Sequence, residues 1–455
     1  MAAENKNTNV IAQQSVIANA VKQSVTNKEI ASAKKLRNDV LVPKLRFKEF
    51  DDSWERKKLG DAGKVKMCKR IFSSETAEKG DIPFYKIGTF GKKPDAFIDK
   101  ELYNSYKSKF SFPKVGDILM SASGTLGRTV IYDGTPSYYQ DSNIVWLDNN
   151  EELITNSFLY YIYQIIRYES EGGTIQRLYN KIILGAKFCK PNLQEQQKIA
   201  SFLTSVDTKI QQLTKKKALL EDYKKGVMQQ LFSQQLRFKP DTATSLRTSV
   251  IANDSEAISN STSRETSFPD WEEKKLKGFI SNFIVPMRDK PKDLNGEIPW
   301  CRIEDFEGKY LSKSKSNQGV SQQTIKEMNL KVYPINTLLV SCSANLGFCA
   351  IVKKELITNQ TFIGLVPDNE KIDIDYLYHI MKLSSRKLNV LSSGTTISYL
   401  SRKQFENFKI DYPSIKEQQK IATYLSAIDT KIATVQTQIA KTQTFKKGLL
   451  QQLFV

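Results

Sequence analysis

A segment of 42 residues occurs twice in this chain of 455 residues. Residues 191–232 and 413–454 align without a gap at a constant offset of 222, and 20 of the 42 paired residues are identical. Most of the remaining differences at apolar positions exchange one aliphatic or aromatic side chain for another. Because repetition at a fixed offset indicates duplicated architecture, the sequence predicts a pseudo-two-fold internal repeat in which two related units end in the same element.

Both copies of the repeat carry the pattern of a long helix. A proline precedes Asn192 and Ser414, and a glutamate follows each of them three residues later, which is typical of a capping box. Apolar residues then recur with heptad spacing, which indicates a coiled-coil seam. The predicted seam residues are Ile199, Leu203, Val206, Ile210, Leu213, Leu220, Val227, Leu231, Ile421, Leu425, Ile428, Ile432, Val435, Ile439, Leu449 and Leu453. The seam is interrupted by Lys217, Lys224, Thr442 and Lys446.

A helix of this length requires a partner, because about 40 residues at 1.5 Å each span about 60 Å, more than the diameter of a small domain. The obvious partner is the other copy. A two-fold axis perpendicular to the helices makes the pair antiparallel and puts the globular units at opposite ends, like a dumbbell. This symmetry matches duplex DNA, on which two related domains can read two half-sites at a fixed separation. An ordinary antiparallel hairpin without this ruler role is the alternative.

Two corresponding charged segments, which begin at Trp54 and Trp271, mark the starts of two globular domains. Short alternating or β-branched runs follow in both halves, which predicts strands at 82–87 and 118–121, and at 298–303 and 338–341. Helical patterns around Leu159 and Leu377 also correspond. The predicted fold class is therefore α+β, with two globular mixed α/β domains joined by two long antiparallel helices that form an intramolecular coiled coil.

The predicted domain boundaries follow from composition. They are a disordered tail at 1–40, a first globular domain at 41–190, a first long helix at 191–235, a Ser/Thr/Asn-rich linker at 236–267, a second globular domain at 268–412 and a second long helix at 413–455. Two large units also suit the length, since domains usually hold about 100 to 200 residues.

Charge indicates the class of partner. The chain has 68 lysines and arginines against 49 aspartates and glutamates, a formal net charge of +19. A polyanion is the first partner to consider, although a basic solvated surface alone gives the same balance. The five cysteines stand singly, which argues against disulfides and zinc modules and for a reducing compartment. We expect no signal peptide and no membrane span.

The paired order of these motifs resembles the specificity subunit of type I restriction-modification enzymes. The resemblance rests on residues 54–59 and 271–276 (Trp-Glu-x-Lys-Lys-Leu), on residues 195–200 and 417–422 (Glu-Gln-Gln-Lys-Ile-Ala), and on the Lys-Lys-Gly-x-x-Gln-Gln-Leu-Phe motifs that begin at Lys224 and Lys446. It covers about 400 residues. The N-terminal tail and the central linker depart from the pattern.

The resemblance implies a recognition subunit without catalytic residues or a metal. It implies double-stranded DNA, two modification (methyltransferase) subunits and, in the full complex, restriction/translocase subunits as partners in a bacterial or archaeal cytoplasm. S-adenosylmethionine, ATP and Mg are then cofactors of those partners, and none belongs to this chain. The residues agree independently, because the chain has neither a GxxxxGK[ST] loop nor an Asn/Asp-Pro-Pro-Tyr/Phe motif. The single histidine, His379, lies in an apolar helical stretch and is interpreted as structural.

Candidate DNA-binding residues are polar side chains in corresponding loops, chosen because Arg, Lys, Asn and Gln can address base edges while Ser, Thr and Tyr assist or hold phosphate. In the first domain they are Lys86, Ser121, Ser123, Thr125, Arg128, Tyr138, Gln140, Arg177 and Lys181. In the second they are Arg302, Ser341, Ser343, Asn345, Gln360, Thr395, Tyr399, Arg402 and Lys403. Each of them can instead be a turn former or a solvated loop residue.

The two sets of side chains differ, which predicts an asymmetric bipartite target with an unread spacer. A stand-alone DNA-binding scaffold or regulator that works without methyltransferase partners is the alternative function. An enzyme with an unrecognised active site is the third, and it is disfavoured because the motifs above are missing.

Overall fold

The computed structural model describes residues 41–166, 168, 177–240, 258–259, 267–286, 290–343, 346–392 and 399–455. The described residues form two compact units. Unit 1 contains the chain up to Leu213 together with Gln438–Val455, and unit 2 contains Thr214–Thr437. Each repeated helix therefore contributes one part to each unit, and neither helix forms a unit of its own.

Unit 1 is a mixed α/β fold with short strands. Its strands are β1 (Glu55–Lys58), β2 (Gly63–Lys66), β3 (Ile82–Tyr85), β4 (Phe97–Ile98), β5 (Ile118–Ser121), β6 (Thr129–Ile131), β7 (Tyr138–Tyr139), β8 (Ile144–Asn149) and β9 (Lys187–Lys190). The helices are α1 (Leu59–Ala62), α2 (Lys100–Lys109), α3 (Asn156–Ile165) and α4 (Asn180–Gly185), and the long helix α5 (Leu193–Phe232) follows. The strands form an antiparallel sheet β2-β8-β5-β6, a sheet β4-β3-β7 and a pair β1-β9.

Unit 2 repeats this plan. Its strands are β10 (Arg237–Phe238), β11 (Ile258–Ser259), β12 (Glu272–Lys275), β13 (Ile280–Ile284), β14 (Ile298–Cys301), β15 (Tyr310–Leu311), β16 (Gly319–Val320), β17 (Leu338–Ser341), β18 (Cys349–Val352), β19 (Ile357–Thr358), β20 (Phe362–Pro367) and β21 (Lys409–Tyr412). The helices are α6 (Gln322–Glu327), α7 (Ile374–Leu383), α8 (Ser385–Ser392) and α9 (Arg402–Asn407), and the long helix α10 (Ile415–Leu453) follows.

The strand order of unit 2 matches that of unit 1. Its sheets are β13-β20-β17-β18-β15, β16-β14-β19 and β12-β21, so only β15 extends the larger sheet and β10-β11 forms an additional pair. In both units the middle strand of the smaller sheet has one antiparallel and one parallel neighbour. The predicted strands at 82–87, 118–121, 298–303 and 338–341 are confirmed as β3, β5, β14 and β17, and the predicted α+β class is confirmed.

The long helices run antiparallel. In unit 1, Ile199, Leu203 and Val206 near the start of α5 share one core with Leu449 and Leu453 at the end of α10. In unit 2 the roles are exchanged, because the core contains Val227 and Leu231 from the end of α5 and Ile421, Leu425 and Ile428 from the start of α10. The start of α5 also packs against the sheet and α3 of unit 1, and the start of α10 packs against the sheet and α7 of unit 2. The apolar seam of the two helices is therefore continuous with the core of each unit.

All sixteen predicted seam residues are buried or half-buried, with Ile210, Leu220 and Ile432 in the half-buried group. Two of the four polar interruptions have a structural role. Lys224 pairs with Asp429 in unit 2 at 2.5 Å, and Lys446 pairs with Asp207 in unit 1 at 2.7 Å. These pairs are related by the same offset of 222 residues, so the duplication preserved the ion pair together with the apolar positions.

The predicted capping boxes are half correct. Asn192 and Ser414 accept a hydrogen bond from the backbone N–H of Glu195 and Glu417, respectively. The glutamate side chains, however, do not accept a hydrogen bond from the backbone N–H of Asn192 or Ser414, as a full capping box requires. The Glu195 carboxylate is fully buried and receives two hydrogen bonds from Arg46, at 2.8 and 2.7 Å, because a buried carboxylate requires charged or multiple donors.

Unit 2 builds the same joint. The Glu417 carboxylate receives hydrogen bonds from Arg237, at 3.0 and 2.9 Å, and one from the indole N–H of Trp271. Arg46 and Arg237 lie in repeated Leu-Arg-Phe-Lys segments at 45–48 and 236–239. This second, shorter repeat precedes the charged segments that begin at Trp54 and Trp271, and it was not recognised in the sequence.

The glutamine beside each glutamate closes the joint. Gln196 is fully buried, accepts a hydrogen bond from the Thr155 N–H at 2.9 Å, and donates to the carbonyls of Leu153 and Pro191. Gln418 makes the corresponding bonds in unit 2, with the Asp373 N–H and the carbonyls of Lys371 and Pro413. The Glu-Gln pair thus anchors the start of α5 to unit 1 and the start of α10 to unit 2.

Candidate nucleic-acid interface

The turn after β5 is the centre of the candidate site in unit 1. The Ser121 hydroxyl donates to the Thr125 carbonyl and accepts from the Arg128 N–H, and Gly124 and Gly127 take positive φ angles of 67° and 74°. Left-handed backbone favours glycine, which explains the two glycines of this turn. Thr125 is exposed at its tip. The Arg128 guanidinium donates from Nη1 to the Phe90 carbonyl at 2.9 Å, which holds the end of its side chain against the neighbouring loop.

Two further segments meet this turn. The first is the loop 140–143, where the Asn143 carbonyl accepts a hydrogen bond from the Ala122 N–H. The Ser123 hydroxyl also donates to the Asn143 side-chain oxygen, at 2.8 Å. Arg177, just before α4, forms a β-bridge with Ser123 and donates from its guanidinium to the Ser142 carbonyl. Ser123, Arg128 and Arg177 are therefore gathered by three chain segments in one surface region.

Unit 2 has the same arrangement after β17. The Cys342 N–H donates to the Thr361 carbonyl, Ser343 forms a β-bridge with Tyr399, and the Leu400 N–H donates to the Cys342 carbonyl. The arginine of the first turn is replaced here by Phe348, which is 45% exposed. Burial raises the pKa of the Cys342 thiol to about 11, so this cysteine remains a neutral thiol near neutral pH. The same scaffold thus presents different side chains in the two units.

Burial corrects three of the predicted DNA contacts. Tyr138 is 1% exposed and belongs to the core, where its hydroxyl donates to the Lys69 carbonyl. Ser121 and Ser341 are also buried, and their hydroxyls hold the two turns from inside. A side chain without accessible polar atoms cannot address a base edge, so we assign these three residues to the structure of the turns and the core.

Other predicted residues remain partly accessible. Gln140 accepts the Ile87 N–H, Lys86 pairs with Asp95, Arg302 pairs with Glu304, and Arg402 pairs with Glu406 within α9. The exposed residues of the predicted set include Lys181, Gln360, Tyr399 and Lys403. Asn345 and Thr395 lie outside the described residues.

The structure adds residues that the sequence analysis missed. Arg70 donates from Nε to the Asp141 carboxylate at 2.9 Å, and the Ser142 N–H points to the Met67 sulfur. Two signals were available in the sequence, the basic run at 64–70 and the polar run at 140–143. The two runs are far apart along the chain, and the pairing of β2 with β8 brings them together. Within the described part of the chain, no cluster of His, Cys, Asp and Glu could hold a metal ion.

The comparison with known families decides the assignment. The family model of the type I restriction modification DNA specificity domain matches residues 51–222 and matches again at residues 269–443. Together the two matches cover more than half of the chain. The chain belongs to this family.

Relatives in this specificity family share parts of the chain at higher identity. S.HindORF215P of Haemophilus influenzae, which bears the name of a type I restriction enzyme specificity subunit, is 59% identical over 157 residues, 34% of this chain and 41% of the relative. The MjaIX specificity subunit of Methanocaldococcus jannaschii is 33% identical over 168 residues, 36% of this chain and 39% of the relative. The chain thus spans about two fifths of the length of these two relatives.

Solved structures show the fold of the specificity family over nearly the whole chain. The type I restriction-modification S subunit from M. genitalium aligns with 91% of this chain and 99% of its own, with a TM-score of 0.56 at 16% identity. A chain from a structural study of complex assembly in the type I R-M system aligns with 89% of this chain and 97% of its own, with a TM-score of 0.50. No helix in the described residues is long and apolar enough to cross a membrane.

Proposed function

We propose that this chain is the DNA sequence-specificity subunit of a type I restriction-modification complex. Units 1 and 2 each read one half of an asymmetric bipartite target in the major groove, and α5 and α10 set the separation of the half-sites. The observation that carries this proposal is the pair of equivalent three-segment turns, after β5 and after β17, which share backbone bonds but differ in side chains. A common scaffold with different polar groups is what two different half-sites require.

The proposal assigns catalysis to partners. Two methyltransferase subunits dock on the helices and adjoining faces of the units, and restriction/translocase subunits join in the full complex. S-adenosylmethionine, ATP and Mg belong to those subunits, which work in the cytoplasm. The family match, the helix joint that is repeated in both units and the formal charge of +19 support this division of labour.

Coexpression with candidate modification subunits, followed by base-resolution mapping of methylated adenines, tests the proposal. We expect one discontinuous, non-palindromic target. A continuous or palindromic site would contradict the assignment of different half-sites to the two units. Sequence-specific DNA binding without copurification of a methyltransferase would favour the alternative function, a stand-alone DNA-binding scaffold or regulator.

A further inference from the structure

A carboxylate lies in the loop 140–143 of unit 1, which receives hydrogen bonds from Arg70 and Arg177. Asp141 is 17% exposed and holds the Nε of Arg70 at 2.9 Å, whereas the Arg70 side chain is 60% exposed. An acidic residue at a surface meant for DNA opposes phosphate binding unless its charge orients a cation. The pairing therefore calls for an explanation beyond a surface ion pair, which by itself contributes about 0–1 kcal/mol.

The loop that carries Asp141 is held in one conformation by backbone hydrogen bonds to two other segments. Ser142 has a φ of 53°, an uncommon value for a residue with a side chain. This conformation directs the Ser142 N–H to the Met67 sulfur and its carbonyl to Arg177. Asp141 thus sits beside a residue bonded to two other chain segments, and its carboxylate is fixed relative to the turn after β5.

The remaining nitrogens of Arg70 define the chemistry. In the described part of the chain, the Nη atoms of Arg70 have no hydrogen-bond partner, because Asp141 engages only Nε. A guanidinium held at Nε presents its two Nη atoms as a rigid pair of donors, which suits O6 and N7 of guanine in the major groove. A phosphate contact requires charge but not this fixed orientation.

We propose that Arg70 reads a guanine in the half-site bound by unit 1 and that Asp141 is its positioning residue. This inference rests on the proposed function and adds residues and a base to it. Unit 2 differs here, because Asn359, Gln360 and Thr361 occupy the corresponding loop without an acidic residue. The Arg70 pair should therefore affect one half-site only.

The test uses the full-length chain coexpressed with its modification subunits and a duplex DNA library with randomised sequence, read by selection of bound DNA. Arg70→Ala is expected to reduce discrimination at one base pair of one half-site by about 10- to 100-fold, as for loss of a bidentate contact. Arg70→Lys is expected to reduce it similarly, since lysine keeps the charge but lacks the planar fork. Asp141→Asn is expected to weaken the preference at the same base pair without a change in thermal midpoint.

Arg56→Ala removes an exposed arginine of β1 that makes none of these contacts and serves as the matched control. If Arg70→Lys retains full discrimination, or if Arg70→Ala weakens binding equally for all sequences and lowers the salt dependence by about one ion, Arg70 contacts phosphate and the inference is wrong. If the wild-type complex selects no bipartite target, the proposed function itself fails. A wild-type bipartite target that Arg70→Ala leaves unchanged overturns only this inference.

Discussion

At the scale of single residues, the duplication placed different chemistry at equivalent positions. Tyr161 in α3 donates its hydroxyl to Asp207 at 3.0 Å. The residue at the same position of α7 is His379, which is fully buried, and its ring nitrogens have no hydrogen-bond partner in the described structure. Its Nε2 lies 3.9 Å from the Asp429 carboxylate. Burial, reinforced by the charges of Lys224, Lys309 and Lys382, lowers the pKa of His379 to about 2.

This histidine should make unit 2 sensitive to mild acid. Below pH 6.5 the unfolded chain binds a proton at His379 that the folded chain does not, so the free energy of unfolding falls as pH falls, by about 1.4 kcal/mol per pH unit. Urea unfolding at pH 7, 6 and 5 should show a flatter pH dependence for His379→Tyr than for the wild type. Equal slopes would mean that His379 is protonated in the folded protein.

Gly347 in the turn after β17 provides a second residue-scale prediction. It has a φ of 85°, and an added Cβ would lie 2.6 Å from the Ser385 Cβ, whereas at Gly127, with a φ of 74°, an added Cβ would meet only Tyr168 at 3.7 Å. Both alanine variants strain the backbone by about 1–2 kcal/mol. Gly347→Ala should cost about 1–3 kcal/mol more through overpacking. Equal losses in urea unfolding would show that the Ser385 segment moves away.

At the scale of elements, the joint between each long helix and its unit is the most tightly specified feature. Glu195→Ala leaves Arg46 buried without its partner and should lower the free energy of unfolding of unit 1 by about 3–5 kcal/mol. The exposed neighbour Gln194 is the control, and its alanine variant should change stability by about 0.5 kcal/mol or less. Chemical unfolding followed by circular dichroism measures both. A small loss for Glu195→Ala would indicate that water replaces the carboxylate.

The long helices and several strands were predictable from sequence, whereas the roles of Glu195 and Arg70 were not, because they depend on tertiary contacts. Heptads and alternation identified α5, α10, β5 and β17, because local periodicity reports burial directly. The role of Glu195 was misassigned because a capping box and a buried ion pair begin with the same residue spacing, and only the tertiary position of Arg46 separates them. Arg70 was missed for the same reason, since its partner Asp141 is 71 residues away.

At the scale of the whole molecule, the proposed ruler can be tested by length. A four-residue insertion in the middle of α5 lengthens the helix by about 6 Å. The rise of duplex DNA is about 3.4 Å per base pair, so the unread spacer of the target should change by about one or two base pairs while both half-sites stay the same. Four residues inserted within 241–257 are the control and should leave the spacer unchanged. A changed half-site sequence would contradict the ruler role.

The repeated Leu-Arg-Phe segments have a consequence for how this chain tolerates interruption. Arg46 precedes Trp54 by 8 residues, whereas Arg237 precedes Trp271 by 34 residues, yet Arg237 and Trp271 bind the same Glu417 carboxylate. A backbone cut between them would leave both attachments in place. The bonds from Arg237 and Trp271 to Glu417 do not require a fixed number of residues between the two donors, so we expect a cut or an insertion between Arg237 and Trp271 to leave the joint closed.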